Sequence, residues 1–425
     1  MKKITILIIL YIGFQTAVFS QGCLPDGITF TMQTEIDNFQ TNYPDCTEIE
    51  GNVTISGPFV YNIDGLSNIT SVGGYLDINS CIWLTSINGF SNLTHVGSHL
   101  MISNTAIGSL SSLAGLTNIA GELWINSNDS LVDLSGLENI TTIEGGYFDI
   151  IDNNSLVNLS GLEGLNTING NLSIWENSSL VSLEGINSLT SISSNLGIMN
   201  NESLVNLEAL SQITTLGASL IIKDNAALIN LSGLDNITSI EKHLRIINNN
   251  NLINLNGLEA VSMVSGELNI NNNDELVILE GLGDFESLTV DSLRIFENPK
   301  LTLCEIQGVC DYISYPGSIV NIYDNAIGCN NVAEVDSACQ TAHTPELSFH
   351  NFYSIYPVPA NDKLHISAHD NSVIDNITLF NQFGQKVMLI QTGSSTVDIS
   401  RLAPGLYVIE IQNGDVKLRD KFIVK

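Results

Sequence analysis

A short unit recurs along most of this chain and restricts its architecture more than any other feature. Gly-apolar pairs fall at Gly65-Leu66, Gly89-Phe90, Gly115-Leu116, Gly136-Leu137, Gly161-Leu162 and Gly185-Ile186. Ala209-Leu210, Gly233-Leu234, Gly257-Leu258 and Gly281-Leu282 continue the series, at spacings of 24, 26, 21 and 25 and then a constant 24. A unit this short cannot bury its own apolar face, so successive units must stack into a quasi-one-dimensional array. Each unit also carries L-x-I-x-x-N, as in Leu244-Arg245-Ile246-Ile247-Asn248-Asn249. Alternation at period two is a strand signal with Leu and Ile facing inward. The expected architecture is an all-β solenoid of ten or more coils. At about 4.8 Å per coil, ten coils make a rod of roughly 50 Å.

Three residues after each inward Ile stands an Asn: Asn128, Asn153, Asn177, Asn201, Asn225, Asn249, Asn273 and Asn298. A stacked amide column satisfies backbone groups at a corner and bonds to the coils above and below. The earliest coils place Cys81 and Thr105 there instead, so Cys81 is expected as a buried, unpaired thiol. Sequons such as Asn139-Ile140-Thr141 belong to the same repeat grammar. A second column, of Thr70, Thr94, Thr141, Thr190, Thr214, Thr238 and Thr289, suits a structural turn ladder. It is also the pattern that an ice-binding surface would need.

Charge divides the chain. Residues 1–20 hold Lys2 and Lys3 and no acids, residues 349–425 hold seven bases and seven acids, and residues 21–348 hold 5 bases against 38 acids. With a net charge of −31 the protein lacks the cations that neutralise nucleic-acid phosphates, and anionic membranes are disfavoured likewise. Lys2-Lys3 followed by the apolar run Ile4–Phe14 reads as a signal peptide over residues 1–20, cleaved between Ser20 and Gln21. Ser20 stands where a lipobox before Cys23 would need an aliphatic residue. No other stretch is long and apolar enough to span a bilayer.

Cys23 and the run Asp45-Cys46-Thr47-Glu48-Ile49-Glu50-Gly51-Asn52-Val53-Thr54-Ile55 resemble the opening of receptor L domains, the leucine-rich modules of growth-factor receptors. The G-L-x-x-I-x-x-I and L-x-I-x-x-N repeats, and the closing Asn298-Pro299-Lys300-Leu301-Thr302-Leu303-Cys304, fit that family too. The resemblance covers 23–339 and implies a right-handed β-solenoid, with a cap at 21–60, repeats at 61–303 and a Cys-rich cap at 304–339. It departs from the family in length, and no receptor tail follows. Seven Cys in an exported chain read as disulfides plus one thiol. The four cysteines after the last coil allow three connectivities, and their spacings lack the close pairs of a zinc site. The resemblance implies Cys23–Cys46, Cys304–Cys329 and Cys310–Cys339.

Residues 340–348 read as a linker. Beyond it, short alternating strands and turn signals suggest a small sandwich of about seven strands over 349–425. Tyr356-Pro357-Val358-Pro359-Ala360, Gly384-Gln385-Lys386-Val387, Asp398-Ile399-Ser400-Arg401-Leu402-Ala403-Pro404-Gly405-Leu406-Tyr407 and the ending Lys421-Phe422-Ile423-Val424-Lys425 resemble the type A C-terminal sorting domain of the type IX secretion system of Bacteroidetes. Tyr356, Pro357, Pro359, Gly384, Gly405, Tyr407, Lys421 and Lys425 are the residues that carry it. The resemblance implies the type IX machinery as a partner and export to the outer surface of a Gram-negative cell. It further implies removal of this domain, with release or attachment to lipopolysaccharide.

Nothing in the chain presents an enzyme's converging titratable groups. His95 and His99 straddle a turn rather than sharing a helix face, and no G-x-S-x-G, H-E-x-x-H, phosphate-binding or dinucleotide pattern occurs. No catalytic residue, metal or cofactor is assigned. The expectation is a recognition or adhesion protein that binds an extracellular glycan or protein. A carbohydrate-active lyase or hydrolase on the same scaffold, or an ice-binding protein, is the alternative. The acid excess suits an exported, soluble rod, and calcium at the Asn/Asp-rich turns is left open.

Along each L-x-I-x strand, the residues between and just after the inward pair must point outward. These slots hold two of the chain's three Trp and three of the five bases in 21–348. Met101, Trp124, Ile151, Trp175, Met199, Lys223, Arg245, Ile247, Arg294 and Phe296 therefore form the candidate binding stripe, because exposed apolar patches and Arg mark interfaces.

Overall fold

The computed structural model describes residues 22–342 apart from 284 and 286–288, and then 353–357, 360–368, 374–381, 385–391, 396–413 and 416–425. The signal-peptide assignment with Ser20 and Gln21, most of the linker, and the motif residues Pro359 and Gly384 lie outside the described residues. The chain divides into two compact units, Met1–Cys339 and Gln340–Lys425.

The first unit is built on one sheet of thirteen parallel strands in chain order. They are Ile28–Phe30, Val53–Ser56, Leu76–Asn79, Leu100–Ser103, Leu123–Asn126, Tyr147–Ile151, Asn171–Trp175, Leu196–Met199, Leu220–Lys223, Leu244–Ile247, Glu267–Asn271, Ser292–Phe296 and Val320–Tyr323. Ten of these follow the sequence ruler. The first two and the last come from segments expected as caps, so the sheet runs farther at both ends than the Gly-apolar pairs indicate. Register is strict: Leu172, Leu196, Leu220 and Leu244 stand in one row and Ile174, Ile198, Ile222 and Ile246 in another. Both rows are fully buried. Two-residue strands such as Thr142–Ile143 and Thr167–Ile168 form shorter parallel ladders on a second side.

The corner after each long strand explains the Asn column. The first corner residue takes a left-handed backbone, as at Asp152 (φ 56°), Asn200 (φ 54°) and Asn248 (φ 56°), and this turns the next residue inward. Each inward amide then donates to an inward-Ile carbonyl of the preceding coil. Its Oδ1 also accepts the N–H of the neighbouring column residue, as Asn177 Oδ1 does from Asn153 N at 3.0 Å. The column runs one step beyond the sequence pattern, to Asn325. It begins with Thr105, whose hydroxyl donates to Asn128 Oδ1 at 2.7 Å. By register, the residue preceding Cys81 in the column is Pro58, which has no N–H to offer an amide oxygen. Cys81 is buried and unpaired, as expected. The Gly of the ruler is also required by geometry. Gly233 sits at φ 111°, and a Cβ there would fall 2.1 Å from the Leu207 carbonyl oxygen.

Caps close both ends. Short helices at Gln33–Asp37 and Phe39–Asn42 bury Ile36 and Phe39 against the first coils, and Cys23 is bonded to Cys46. Helices Gln307–Ser314 and Val332–Ala342 belong to the opposite end, with Cys304–Cys329 and Cys310–Cys339. These are the pairings that the resemblance implied. The last helix continues through Ala342, into the segment expected as linker.

The second unit is a small sandwich of two antiparallel sheets. One holds Tyr353–Tyr356, Lys363–Ala368 and Thr396–Asp398; the other holds Asn376–Asn381, Lys386–Gln391, Gly405–Asn413 and Val416–Val424. Ile377, Leu379, Ile409, Ile411 and Phe422 are buried in its core.

Candidate functional site

The predicted stripe forms two adjacent columns on the outer face of the long sheet. The ladder places Met101 beside Trp124, Trp124 beside Asp149, and Arg245 beside Asn269, which is followed by Arg294. The second column runs Ile151, Trp175, Met199, Lys223, Ile247, Asn271 and Phe296. Most of these side chains are half-buried by their neighbours, and Trp175 is exposed at 38%.

A third column on the same face went unread in the sequence, although residues two apart on a strand always share a face. It holds Tyr75, His99, Glu122, Tyr147, His243 and Glu267. The rings of Tyr75 and His99 stack at 4.6 Å with 8° between planes, and His99 meets Trp124 at 4.8 Å. Glu267 takes Arg245 Nε on one oxygen at 2.7 Å and Arg294 Nε on the other at 3.2 Å. The backbone N–H of Glu267 donates to His243 Nδ1 at 3.0 Å. Two guanidinium groups on one carboxylate leave this trio with a net positive charge. All five bases of residues 21–348 lie between 223 and 300.

Asp149 lies at the centre of the aromatic half. Burial pushes its carboxyl above the ordinary range, opposed by hydrogen bonds from Ser173 and the Trp124 indole. Burial likewise raises Asp77, against a hydrogen bond from Asn79 and the nearby His99. Phe296 stacks on Tyr323 at 4.8 Å at the far end of the face.

Two other features are accounted for without a ligand. In the Thr column, Thr70, Thr94, Thr190 and Thr289 donate their hydroxyls to carbonyls of the preceding coil, Thr94 to Thr70 at 3.0 Å and Thr190 to Asn166 at 3.1 Å. The sequon residue Asn139 similarly donates its amide to the Ala114 carbonyl. At the Asn/Asp-rich corner, Glu202, Asp224, Asn248 and Asp274 help line an open cleft of about 490 Å³. Among the described residues no group of three or more His, Cys, Asp or Glu is placed to hold a metal.

In the second unit, the sorting-motif residues have structural roles. Ala360 donates to the Ile423 carbonyl and accepts from Lys425 N, pinning the motif to the final strand. Tyr407 is buried and its hydroxyl donates to the Ala403 carbonyl at 2.9 Å. Asp398 caps the following turn through Ser400, and those hydrogen bonds lower its carboxyl. Tyr356, Pro357, Lys421 and Lys425 are exposed.

Residues 354–425 match the secretion system C-terminal sorting domain. A tail of this family implies type IX export, to the medium or the cell surface. Residues 45–108 match the receptor L domain, a recognition fold, and the sheet continues the same coil to residue 323. Neither family is enzymatic. Among curated proteins no relative matches the chain. Among the described residues no helix is long and apolar enough to cross a membrane.

Proposed function

We propose that this is an exported recognition or adhesion protein that binds an extracellular glycan or protein through the outer face of its long sheet. The observation that carries this reading is the run of Trp124, Trp175, Met199, Arg245 and Arg294 along a regular sheet face, in a unit otherwise almost devoid of cations. Aromatic and Arg side chains concentrate binding energy at interfaces. The sorting domain delivers the protein and is then removed, leaving the solenoid released or attached to surface lipopolysaccharide; the molecule has no catalytic task.

The test is an array of glycans and surface proteins probed with the secreted protein. A variant carrying Trp124→Ser, Trp175→Ser, Lys223→Ser, Arg245→Ser and Arg294→Ser is probed beside it. The variant should keep its β circular dichroism and lose binding. A folded variant that binds as well as the parent overturns the proposal, and cleavage of any arrayed polysaccharide would favour the lyase or hydrolase alternative.

A further inference from the structure

Charges on the outer face follow an order. Counted along the sheet, Asp77 lies on the third strand, Glu122 enters the fifth, and Asp149 lies on the sixth. Lys223, Arg245 and Arg294 lie on the ninth, tenth and twelfth. Reversing the strand order about the midpoint between the seventh and eighth strands puts Asp77 on the strand of Arg294, Glu122 on that of Arg245 and Asp149 on that of Lys223. The fourth acid of the face, Glu267 on the eleventh strand, meets the fourth strand, which His99 enters. The midpoint itself lies between Trp175 and Met199, where the face is apolar.

We propose that the partner recognised by this face is a second copy of the same chain, docked face to face with its coils in reverse order. This rests on the outer face being the recognition surface. A twofold axis along the strand direction reverses the coils and keeps each side-chain column opposite its own column, so the contact is self-complementary. Asp77 then faces Arg294 within one column. Trp124 faces Arg245, a cation over an indole, and Trp175 faces Met199, a thioether against an aromatic ring. Arg245 and Arg294, which share one carboxylate within a single copy, each gain an acid or aromatic partner from the other. Ten strands at about 4.8 Å, with four to five outward and flanking positions at about 3.3 Å, give roughly 700 Å² a side. A stable pairwise interface covers about 800 Å² a side. The net charge of each copy opposes association at long range. At about 0.15 M salt the screening length is roughly 8 Å, so direct contacts outweigh that repulsion. On a surface-displayed protein the same pairing would join molecules on neighbouring cells.

The experiment is sedimentation equilibrium of the secreted protein at that salt concentration. The parent should dimerise. Asp77→Arg and Arg294→Asp, each alone, should raise the dissociation constant at least tenfold, because each change sets like charges opposite each other twice. An equimolar mixture of the two variants should dimerise again, since every contact between them is once more acid to base. Trp124→Ser, which removes the indole opposite Arg245 twice, supplies a second test if one of the first variants fails to fold, as judged by circular dichroism, and should weaken the dimer as well. A parent that stays monomeric to millimolar concentration overturns the proposal, as does a dimer indifferent to these changes or a mixture that does not recover. A monomeric parent that still captures a glycan or another protein in the array overturns only the homotypic pairing and leaves the recognition reading standing.

Discussion

Asn201 Oδ1 accepts both the backbone N–H of Asn177, at 3.2 Å, and the Asn177 side-chain amide, at 3.3 Å. Its own amide donates to the carbonyls of Ile174 and Met199, both at 2.9 Å. One side chain thus satisfies groups in its own coil and in the one before it. Asn201→Leu fits the apolar interior but orphans several buried polar groups, so it should cost about 3 kcal/mol or more. Asn201→Asp keeps the acceptor but loses the bonds its amide donates and buries a carboxylate, so its cost should fall as the solution is acidified. Urea unfolding of the two variants at neutral and acid pH checks both points. Equal costs at both pH values for Asn201→Asp would refute the account of the corner.

The Cys81 thiol lies 3.3 Å from the Asn79 carbonyl oxygen and 3.6 Å from that of Ile55, and burial pushes its pKa up to about 11. Both factors suppress the thiolate, the reactive form. A thiol reagent at mildly alkaline pH should leave the folded protein unmodified, and should label one site per chain in urea while the three disulfides stay intact. Labelling of the native protein at the rate of a free thiol would contradict its placement inside the solenoid.

Asp149 on the outer face and Glu35 in the N-terminal cap should respond to pH in opposite senses. Burial raises the Asp149 carboxyl, so the folded protein holds that proton more tightly than the unfolded chain. From this group, stability is greatest at acid pH and declines as pH climbs from about 4 through the raised value. Backbone hydrogen bonds from Thr31 and Met32 lower Glu35, so its contribution is present above the ordinary carboxylate value and is lost as pH falls. Asp149→Asn should therefore gain stability relative to the parent as pH rises from about 4 to neutrality. Glu35→Gln should lose relative to the parent over the same interval. Thermal unfolding across that range reads both differences, and parallel curves for all three proteins would rule the assignment out.

Much of this was legible because the repeat is nearly constant: one register error would turn every Leu and Ile outward. The strands at Ile28–Phe30, Val53–Ser56 and Val320–Tyr323 were missed because their coils lack the Gly-apolar pair used as the ruler. Asn325 was missed although Val320-Asn321-Ile322-Tyr323-Asp324-Asn325 keeps the strand-and-Asn pattern, because Val stands in place of Leu and the segment lies among the cap cysteines. The first half of the outer face was under-read for a different reason. Tyr75, His99 and Glu122 stand just before the inward Leu, a slot that a strand signal beginning at Leu leaves out. The shared hold of Glu267 on Arg245 and Arg294 spans three coils and needs the stacking register, which no local pattern supplies.

The last strand of the sorting domain separates folding from recognition. Phe422 and Val424 are buried, whereas the flanking Lys421 and Lys425 are exposed. Phe422 also packs near Tyr407, with ring centroids 5.8 Å apart. Phe422→Ser should cost about 3 kcal/mol or more by opening a cavity and stranding a hydroxyl in it, so this unit unfolds and export fails with it. Lys421→Ala combined with Lys425→Ala removes two surface charges and should change stability by no more than about 0.5 kcal/mol. The Lys residues close the sorting motif and bury nothing. The double variant should therefore keep its hydrogen-exchange protection in the Gly405–Asn413 and Val416–Val424 strands, yet reach the cell surface less than the parent. Measuring exchange and surface delivery on the same preparations decides the matter. Full delivery of the double variant would mean that the terminal charges are dispensable, and that the machinery reads the folded sandwich by other residues.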